Sequence, residues 1–322
     1  MFHTQSGGVM MSNKLKFTIR LAIGIIGISL MALTIYSLFF LKQVTETAKE
    51  IHVPMERQVS EKREEPIVFQ KKDPFSVLLL GVDERDGDRG RSDTMIVLTV
   101  NPTLKSTKML SIPRDTYTLI VGKNIEDKLN HAYAYGGIEM SLNSVEHLLD
   151  LPIDYVVQVN MESFQQIINA LDGITVENTM AFSEEGFSFP KGLIQMNGEE
   201  ALAYVRMRYH DPRGDFGRQD RQKEVIQAVL RRSASLNSLL NVKEIFDAIK
   251  TNVRTNMTLD DMIDIQKNYR EAAKDVEQLM LTQGHGKWID GIWYYVVDDE
   301  ELAHVSNDLR LHLSIEKERG SE

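Results

Sequence analysis

Residues Leu21 to Leu41 read LAIGIIGISLMALTIYSLFFL and carry no charge. At ~1.5 Å of rise per residue, a helix of that length matches the ~30 Å hydrocarbon core of a bilayer. The run exceeds the ~7 to 15 apolar residues of a cleaved signal peptide, and no small-residue cleavage site ends it. It is therefore expected to be an uncleaved signal-anchor, a single transmembrane helix over 21–41. Lys14, Lys16 and Arg20 precede it with no acid among them, whereas Lys42, Glu46, Lys49 and Glu50 follow it. The positive flank places residues 1–20 in the cytoplasm and the body of this single-pass cell-membrane chain outside.

That body is acidic. Setting aside the three bases before the span leaves 34 basic against 47 acidic residues, a balance of −13. Such a field excludes general nucleic-acid binding, and any polyanion must meet a local cluster of bases. The chain has no cysteine, which removes disulfides, thiolate metal sites and cysteine nucleophiles. Residues 42–73 alternate acids and bases with few large apolar residues, the composition of a flexible charged stem. A globular domain is expected over 74–313, with a short tail over 314–322.

Within that domain FSVLLLGVD, TMIVLTV, KMLSI, DYVVQVN and GITVEN read as strands, the first buried on both faces. Residues 137–149, MESFQQIINAL, NGEEALAYVRMR and FGRQDRQKEVIQAVLRRSASL read as helices. The segment 241–279 is expected to be mostly helical, with Thr258 and Asp260 in an N-cap region. Asp290-Gly291 between apolar flanks predicts a two-residue hairpin turn, and a last helix runs to about Leu313. The alternation predicts one α-β-α domain, helices on both faces of a mixed central sheet.

Three segments outside these elements concentrate arginine. GVDERDGDRGRSDT leaves the first strand with Asp83, Arg85, Arg91 and Asp93, and PRDT leaves another with Arg114 and Asp115. Val205 to Gln222, VRMRYHDPRGDFGRQDRQ, holds five arginines and three aspartates but no lysine. A guanidinium is a planar fork that grips phosphate oxygens bidentately, whereas a lysine is a mobile point charge. Loops beyond the carboxyl ends of strands are also where open α/β sheets bind ligands. The apolar stripe Val225, Ile226, Val229 and Leu230, carried back by three and four, puts Gln222 and Arg218 on the same helix face. A charge there needs a partner, and the first turn of a helix favours anions. Asp83 and Asp93 are the oxygen donors that a hard divalent cation shares with phosphates. No HExxH, GxSxG, P-loop or GxGxxG is present, which excludes the hydrolase and nucleotide chemistries tied to them. His131, in KLNHAYAYGG, is expected to be a packed or loop-anchoring histidine.

Taken together, the membrane anchor, LLLGVDER with RSDT, SIPRDT, KLNHAYAYGG, NGEEALAYVRMR and DFGRQDRQ resemble the LytR-CpsA-Psr family of cell-envelope phosphotransferases, over roughly Phe75 to Leu313. Leu171-Asp172-Gly173 departs from the paired glycines more usual in the family, at a turn. The resemblance implies transfer of an anionic glycopolymer of the teichoic acid type from a polyprenyl-pyrophosphate carrier to a peptidoglycan hydroxyl, by family analogy the C6 hydroxyl of N-acetylmuramic acid. It implies Mg2+ held by Asp83 and Asp93, and catalytic roles for Arg85 and Arg114 with Asp215 or Asp83 as the base. Arg206, Arg208, Arg218 and Gln222 would bind pyrophosphate, with Arg91 and Arg221 of the same clusters beside them. The bilayer, the lipid-linked polymer and peptidoglycan are the implied partners, with the cell-wall synthesis machinery a further contact. The rival expectations are a polyprenyl-pyrophosphate phosphatase and a non-catalytic membrane anchor for anionic polymers. A transcription regulator is excluded, because an outward-facing acidic domain does not meet DNA.

Overall fold

A six-stranded mixed sheet organises the body of the molecule, in the order β11-β6-β1-β2-β3-β12. The computed structural model describes residues 36–57, 59–83, 90–235, 250 and 253–315. Most of the Leu21–Leu41 run, and Arg85, lie outside the described residues. Among the described residues no helix is long and apolar enough to cross a membrane. The chain divides into two compact units, Met1–Glu46 and Thr47–Glu322.

β1 (Phe75–Val82), β2 (Ser92–Asn101) and β3 (Ser106–Ile112) form an antiparallel meander. β6 (Tyr155–Asn160) lies parallel to β1, and β12 (Val276–Met280) parallel to β3. β11 (Val253–Thr255) closes the far edge against β6. Alternation along the central strands divides their side chains between two cores, as a period of two requires. Leu78, Leu80, Val82, Met95, Val97, Leu110 and Ile112 face one of them. There they meet Leu142, Val145 and Leu149 of α2 (His131–Leu149) and Val305 and Leu309 of α7 (Asp299–His312). Phe75, Val77, Ile96, Leu98 and Met109 face the other core, against Phe69, Tyr269 and the helices α5 (Asp215–Ser235) and α6 (Leu259–Asn268). A third core lies on the outer side of α5. Val225 and Ala228 pack there with α3 (Met161–Ala170), α4 (Gly198–Arg206), β7 (Ile174–Asn178) and β10 (Gly192–Met196).

The expected α/β class with a mixed sheet and helices on both faces is present. Two expectations need correction. Of the segment 241–279, residues 241–249, 251 and 252 lie outside the described residues, and the part from 253 onward is less helical than its pattern suggests, since it contributes both edge strands with only α6 helical between them. Thr258 caps α6 with Asp261 in a capping box, one residue beyond the Asp260 named from sequence. The turn that departs from paired glycines stands with Asp172 itself in the left-handed conformation, φ 60.

The stem is the second correction, for from Thr47 onward it belongs to the domain. The helix α1 (residues 36–51) ends with Ala48 and Ile51 buried, and His52 bridges to Thr255 on β11. Arg57 and the hydroxyl of Ser60 both donate to the buried carboxylate of Glu146, which also accepts from the Ile153 amide at 2.9 Å. Arg63 pairs with Asp154, itself bonded to Ser76, and Phe69 is buried among Phe75, Tyr155 and Tyr269. These bases match acids far along the chain, so a segment that looks solvated on its own is ordered by charges it does not contain. Glu146→Ala should leave Arg57 partly buried without its partner and cost about 3 kcal/mol. Denaturant titration measures that loss, and limited proteolysis should show new cleavage in residues 52–63.

Candidate functional site

The end of β1 and the start of β2, the end of β3 and the first turn of α5 meet at one end of the sheet. Gly81 pairs with Thr94 and Val82 with Ser92, so Asp93 is the extra residue of a β-bulge. A bulge leaves one residue out of a regular ladder, and Asp93, unpaired with β1, faces Arg114 across the extended β2–β3 register. Arg114 Nη1 lies 2.9 Å from Asp93 Oδ2. PRDT forms a closed turn in which the Thr116 hydroxyl donates to the Pro113 carbonyl at 2.6 Å. The Arg114 carbonyl accepts from the Asn130 amide at 3.2 Å, which fastens the PRDT and KLNH segments together. Asn130 also reaches Asp93, its Nδ2 lying 3.4 Å from Oδ1.

α5 enters from the other side. Ser111, on β3, donates its hydroxyl to Gln219 Oε1 at 2.8 Å, and Gln219 Nε2 donates to Asp215 Oδ2 at 3.2 Å. Arg218 Nη2 sits 2.7 Å from Asp215 Oδ1, and Arg208 Nε is 3.8 Å from the same oxygen. Burial lowers the pKa of Arg218; the neighbouring Arg114 and Arg208 lower it too, and Asp215 and Asp93 offset only part of this. For Arg114 burial also acts to lower the value, but Asp93 and then Asp115 and Asp215 outweigh it and the net direction is upward. Three guanidinium groups and the Lys128 ammonium thus share three carboxylates, Asp93, Asp115 and Asp215. The Nε donors of Arg114 and Arg218 are buried with no hydrogen-bond acceptor. Buried donors without acceptors are rare in folded proteins, and an anion bringing several oxygens to this spot satisfies both.

The residues picked out from sequence separate into groups. Asp93, Arg114, Arg208, Asp215 and Arg218 come together in the cluster just described. Asp83 stands at the end of β1, its amide donating to the Arg91 carbonyl at 3.2 Å, which keeps it beside the Asp93 bulge. Gln222 is half-buried one turn along α5 from Arg218. Arg91 is exposed and close enough to Tyr135 to act on its hydroxyl. Arg206, on the last turn of α4, pairs with Glu185 at 3.2 Å.

Arg221 has a different task from the pyrophosphate contact read for it. Its guanidinium is 7% exposed, holds Asp211 Oδ2 at 2.7 Å and donates to the Met207 carbonyl at 2.5 Å. It ties the loop after α4 onto α5. That closure requires glycine at 217, because a Cβ there would stand 1.9 Å from Asp211 Oδ2. Sequence reasoning passed over Asp211, Gly217, Gln219 and Asn130. The signal for the first two is their spacing of ten and four from Arg221 across the start of α5, which pattern alone does not rank. His131 donates from Nδ1 to Asp127 Oδ2 at 2.8 Å, and Tyr135 donates to the same oxygen at 2.7 Å, so it anchors its loop as expected.

The donor set also bears on a metal. Among the described residues no group of three or more His, Cys, Asp or Glu side chains could hold an ion. What is present is Asp83 and Asp93 with the Oδ1 of Asn130, a buried oxygen without a hydrogen-bond partner. Few protein oxygens and room for phosphates suit magnesium, which keeps waters and substrate oxygens as most of its ligands. A groove of 1260 Å³, lined by Arg63, Asp73, Pro74, Asp150 and Arg310 among others, lies at the amino end of β1, the opposite end of the sheet. It is separate from the arginine cluster.

The chain is similar to known proteins over most of its length. The LytR_cpsA_psr family matches residues 38–311. Polyisoprenyl-teichoic acid--peptidoglycan teichoic acid transferase TagU of Bacillus subtilis is 48% identical over 298 residues, 92% of this chain and 96% of that protein. The crystal structure of B. subtilis TagU superposes with a TM-score of 0.62 at 48% identity, over 77% of this chain and 100% of that one. A solved structure of TagT bound to LIIa-WTA superposes with a TM-score of 0.71 at 35% identity, over 82% of this chain and 100% of that one.

Arg221 and Asp211 give this region its own test. The Asp211 carboxyl would be raised by burial, but Arg221 and the Arg213 amide hold it below the usual carboxylate range. A depressed acid contributes stability above its unfolded pKa of ~3.9 and loses it as pH falls through the folded value. Arg221→Leu strands that carboxylate and should cost about 3 to 5 kcal/mol at pH 7. In the variant burial raises the Asp211 pKa, so thermal unfolding should show its deficit shrinking as the pH is lowered toward ~4, where the parent is still flat.

Proposed function

The chain belongs to the LytR_cpsA_psr family, and we propose that it transfers an anionic glycopolymer of the teichoic acid type from a polyprenyl-pyrophosphate carrier to a peptidoglycan hydroxyl. The observation that carries this is the trio of buried Arg218 with partly buried Arg114 and Arg208, in which two buried guanidinium Nε donors lack acceptors. A TagU relative is named for moving teichoic acid from a polyisoprenyl carrier to peptidoglycan, and TagT has been solved with a wall teichoic acid ligand.

The acceptor hydroxyl oxygen attacks the phosphorus nearest the polymer. The bond from that phosphorus to the bridging oxygen breaks, and polyprenyl phosphate leaves with the electron pair. The hydroxyl proton passes to a carboxylate at the site, Asp215 or Asp83. Arg114 and Arg218 fix the transferring phosphate and the leaving phosphate in one orientation, and their charge counters what builds on the equatorial and leaving oxygens. Arg208 draws Asp215 toward the same group. Arg206 and Arg91, both at the surface, meet the outer phosphate oxygens or the polymer, and Gln222 supplies a neutral donor from α5. Arg85, outside the described residues, would join them by the family resemblance. Asp83 and Asp93, with Asn130, would hold Mg2+, which when bound supplies further charge neutralisation on the phosphates. The pyrophosphate bond provides the driving force, so no nucleotide is consumed. The Leu21–Leu41 run anchors the chain in the cell membrane with the domain outside, where the lipid-linked donor, the wall acceptor and the wall-synthesis machinery are within reach.

Full-length protein given lipid-linked polymer, Mg2+ and peptidoglycan strands should release polyprenyl phosphate and label the strands. Release without an acceptor indicates the phosphatase instead, and tight binding without release the non-catalytic anchor. Arg114→Lys keeps the charge but loses the fork, and should reduce transfer by about 10²-fold or more with unfolding unchanged. Chelation should stop transfer and Mg2+ restore it, with Asp83→Asn requiring a higher Mg2+ concentration for half-maximal rate.

A further inference from the structure

The last hairpin carries a surface that the transfer site does not account for. β13 (Gly284–Ile289) and β14 (Ile292–Val297) pair with Trp288 opposite Trp293, Gly286 opposite Tyr295 and Gly284 opposite Val297. Residues directly opposite share a face, so these six lie on one side of the ribbon. Tyr295 and Val297 are buried in the main core, whereas Trp288 is 72% exposed and Trp293 37%. Core-facing residues therefore run on, along one face, into two indoles in solvent.

The indole of Trp293 is placed, not merely left outside. A Cβ at residue 286 would fall 2.6 Å from its Nε1 and 3.1 Å from Cε2, so the ring edge rests on the bare backbone of Gly286. A ring laid along a strand in this way keeps its other face toward solvent. The turn at its tip has Asp290 at φ 49 and Gly291 at φ 79, the left-handed pair of a tight hairpin, which stiffens the platform.

This face continues to the chemistry. Tyr295 stacks edge-on against Phe216, ring centroids 5.9 Å apart, and Phe216 follows Asp215 in the first turn of α5. The Tyr295 amide donates to the Asp115 carbonyl at 2.9 Å, in the turn that carries Arg114, and Thr116 bridges to Tyr295. The hairpin is thus fixed to both segments that position the arginines.

We infer that Trp293 and Trp288 form a stacking platform for the glycan strand of the peptidoglycan acceptor, an inference that rests on the proposed transfer. Pyranose rings of an uncharged amino-sugar backbone present an apolar C–H face, and a broad exposed indole is the side chain that covers one. A phosphate-bearing polymer would call for cations on this face, and residues 284–289 and 292–297 place Lys287 and His285 on the other. A bilayer is the competing occupant. Against it stand the carboxylate of Asp290 at the leading tip, the ring lying along the strand, and the direct connection to the site.

The chain contains only two tryptophans, so intrinsic emission of the full-length protein reports on this hairpin alone. In nanodiscs, soluble peptidoglycan glycan strands should change that emission saturably, and spin-labelled lipid should not quench it. Trp293→Ala should weaken glycan binding and raise the acceptor KM by about tenfold, with kcat and donor KM kept. Trp293→Phe should recover part of that, which loss of folding would not allow. Quenching by the labelled lipid, or an emission indifferent to glycan while transfer proceeds with an unchanged acceptor KM in Trp293→Ala, overturns the platform. Absence of any transfer by the parent protein sinks the transfer reading instead, and with it the acceptor role assigned here, whatever the emission does.

Discussion

The pairing of Arg114 with Asp93 is the contact on which the rest of the site depends. It joins the start of β2 to the turn that leaves β3, where the antiparallel register of those two strands brings residues 93 and 114 opposite each other, beside the bulge in the β1–β2 pairing. Once Arg114 is fixed, Arg218 approaches a like charge in a buried place, and its pKa falls because of burial, Arg114 and Arg208. A group held this way shares Asp215 with Arg208, and a bound anion would give it a further partner. The fold meets the cost with α5, whose first turn brings Asp215 and the favourable end of a helix dipole to the same point, and with the Ser111–Gln219–Asp215 chain that locks the helix to β3. In a chain of net charge −10, attraction for a polyanion would need a local arrangement of cations such as this one.

How much of this was legible in sequence depends on where the determining partner lies. Strands whose apolar run is internal, such as β1 and β2, declare themselves, as do the Asp290-Gly291 turn and the Thr258 cap, because each is decided within a few residues. The edge strands do not: VRT and VEQLM are short and largely polar, and their pairing is settled by β6 and β3. The segment 47–73 was read as solvated for the same reason, since the acids that order Arg57 and Arg63 are Glu146 and Asp154. At the site, helical period separates Arg218 from the solvent face but cannot rank it against Arg221 three residues on. What divides them is Asp211, a buried carboxylate that only a glycine at 217 admits, and the division is visible only once the loop is folded.

Ordering of the stem would change what the proposed anchor does. With the compact unit beginning at Thr47 and residues 42–46 helical within α1, the flexible charged stem expected over 42–73 is not present among the described residues. A flexible tether of ~30 residues would let a domain sample tens of ångströms, which a short ordered connection would not. Access to a distant acceptor then has to come from the acceptor strand reaching the domain. A surface that captures such a strand next to the phosphate site is a natural complement to a short tether.

The absence of lysine from the Val205–Gln222 stretch is best understood beside the lysines that the fold does place nearby. Lys128 holds Asp115 at 2.7 Å, directly behind the PRDT turn, and Lys223 is buried against Asp220 at 3.0 Å on α5 itself. The region therefore accepts buried ammonium groups wherever one carboxylate needs one cation. It uses arginine where a side chain must contact two things at once: Arg221 bridges Asp211 and the Met207 carbonyl, and Arg114 lies between Asp93 and Asp115. In Arg114 and Arg218 the fork faces protein on one edge and has an Nε donor without acceptor on another. A lysine could keep the first contact or reach for a phosphate, but its three donors sit on one atom and cannot hold both in fixed relation. The composition of the loop follows from that geometric demand, and a diphosphate whose two phosphorus atoms must be told apart is a ligand that makes it.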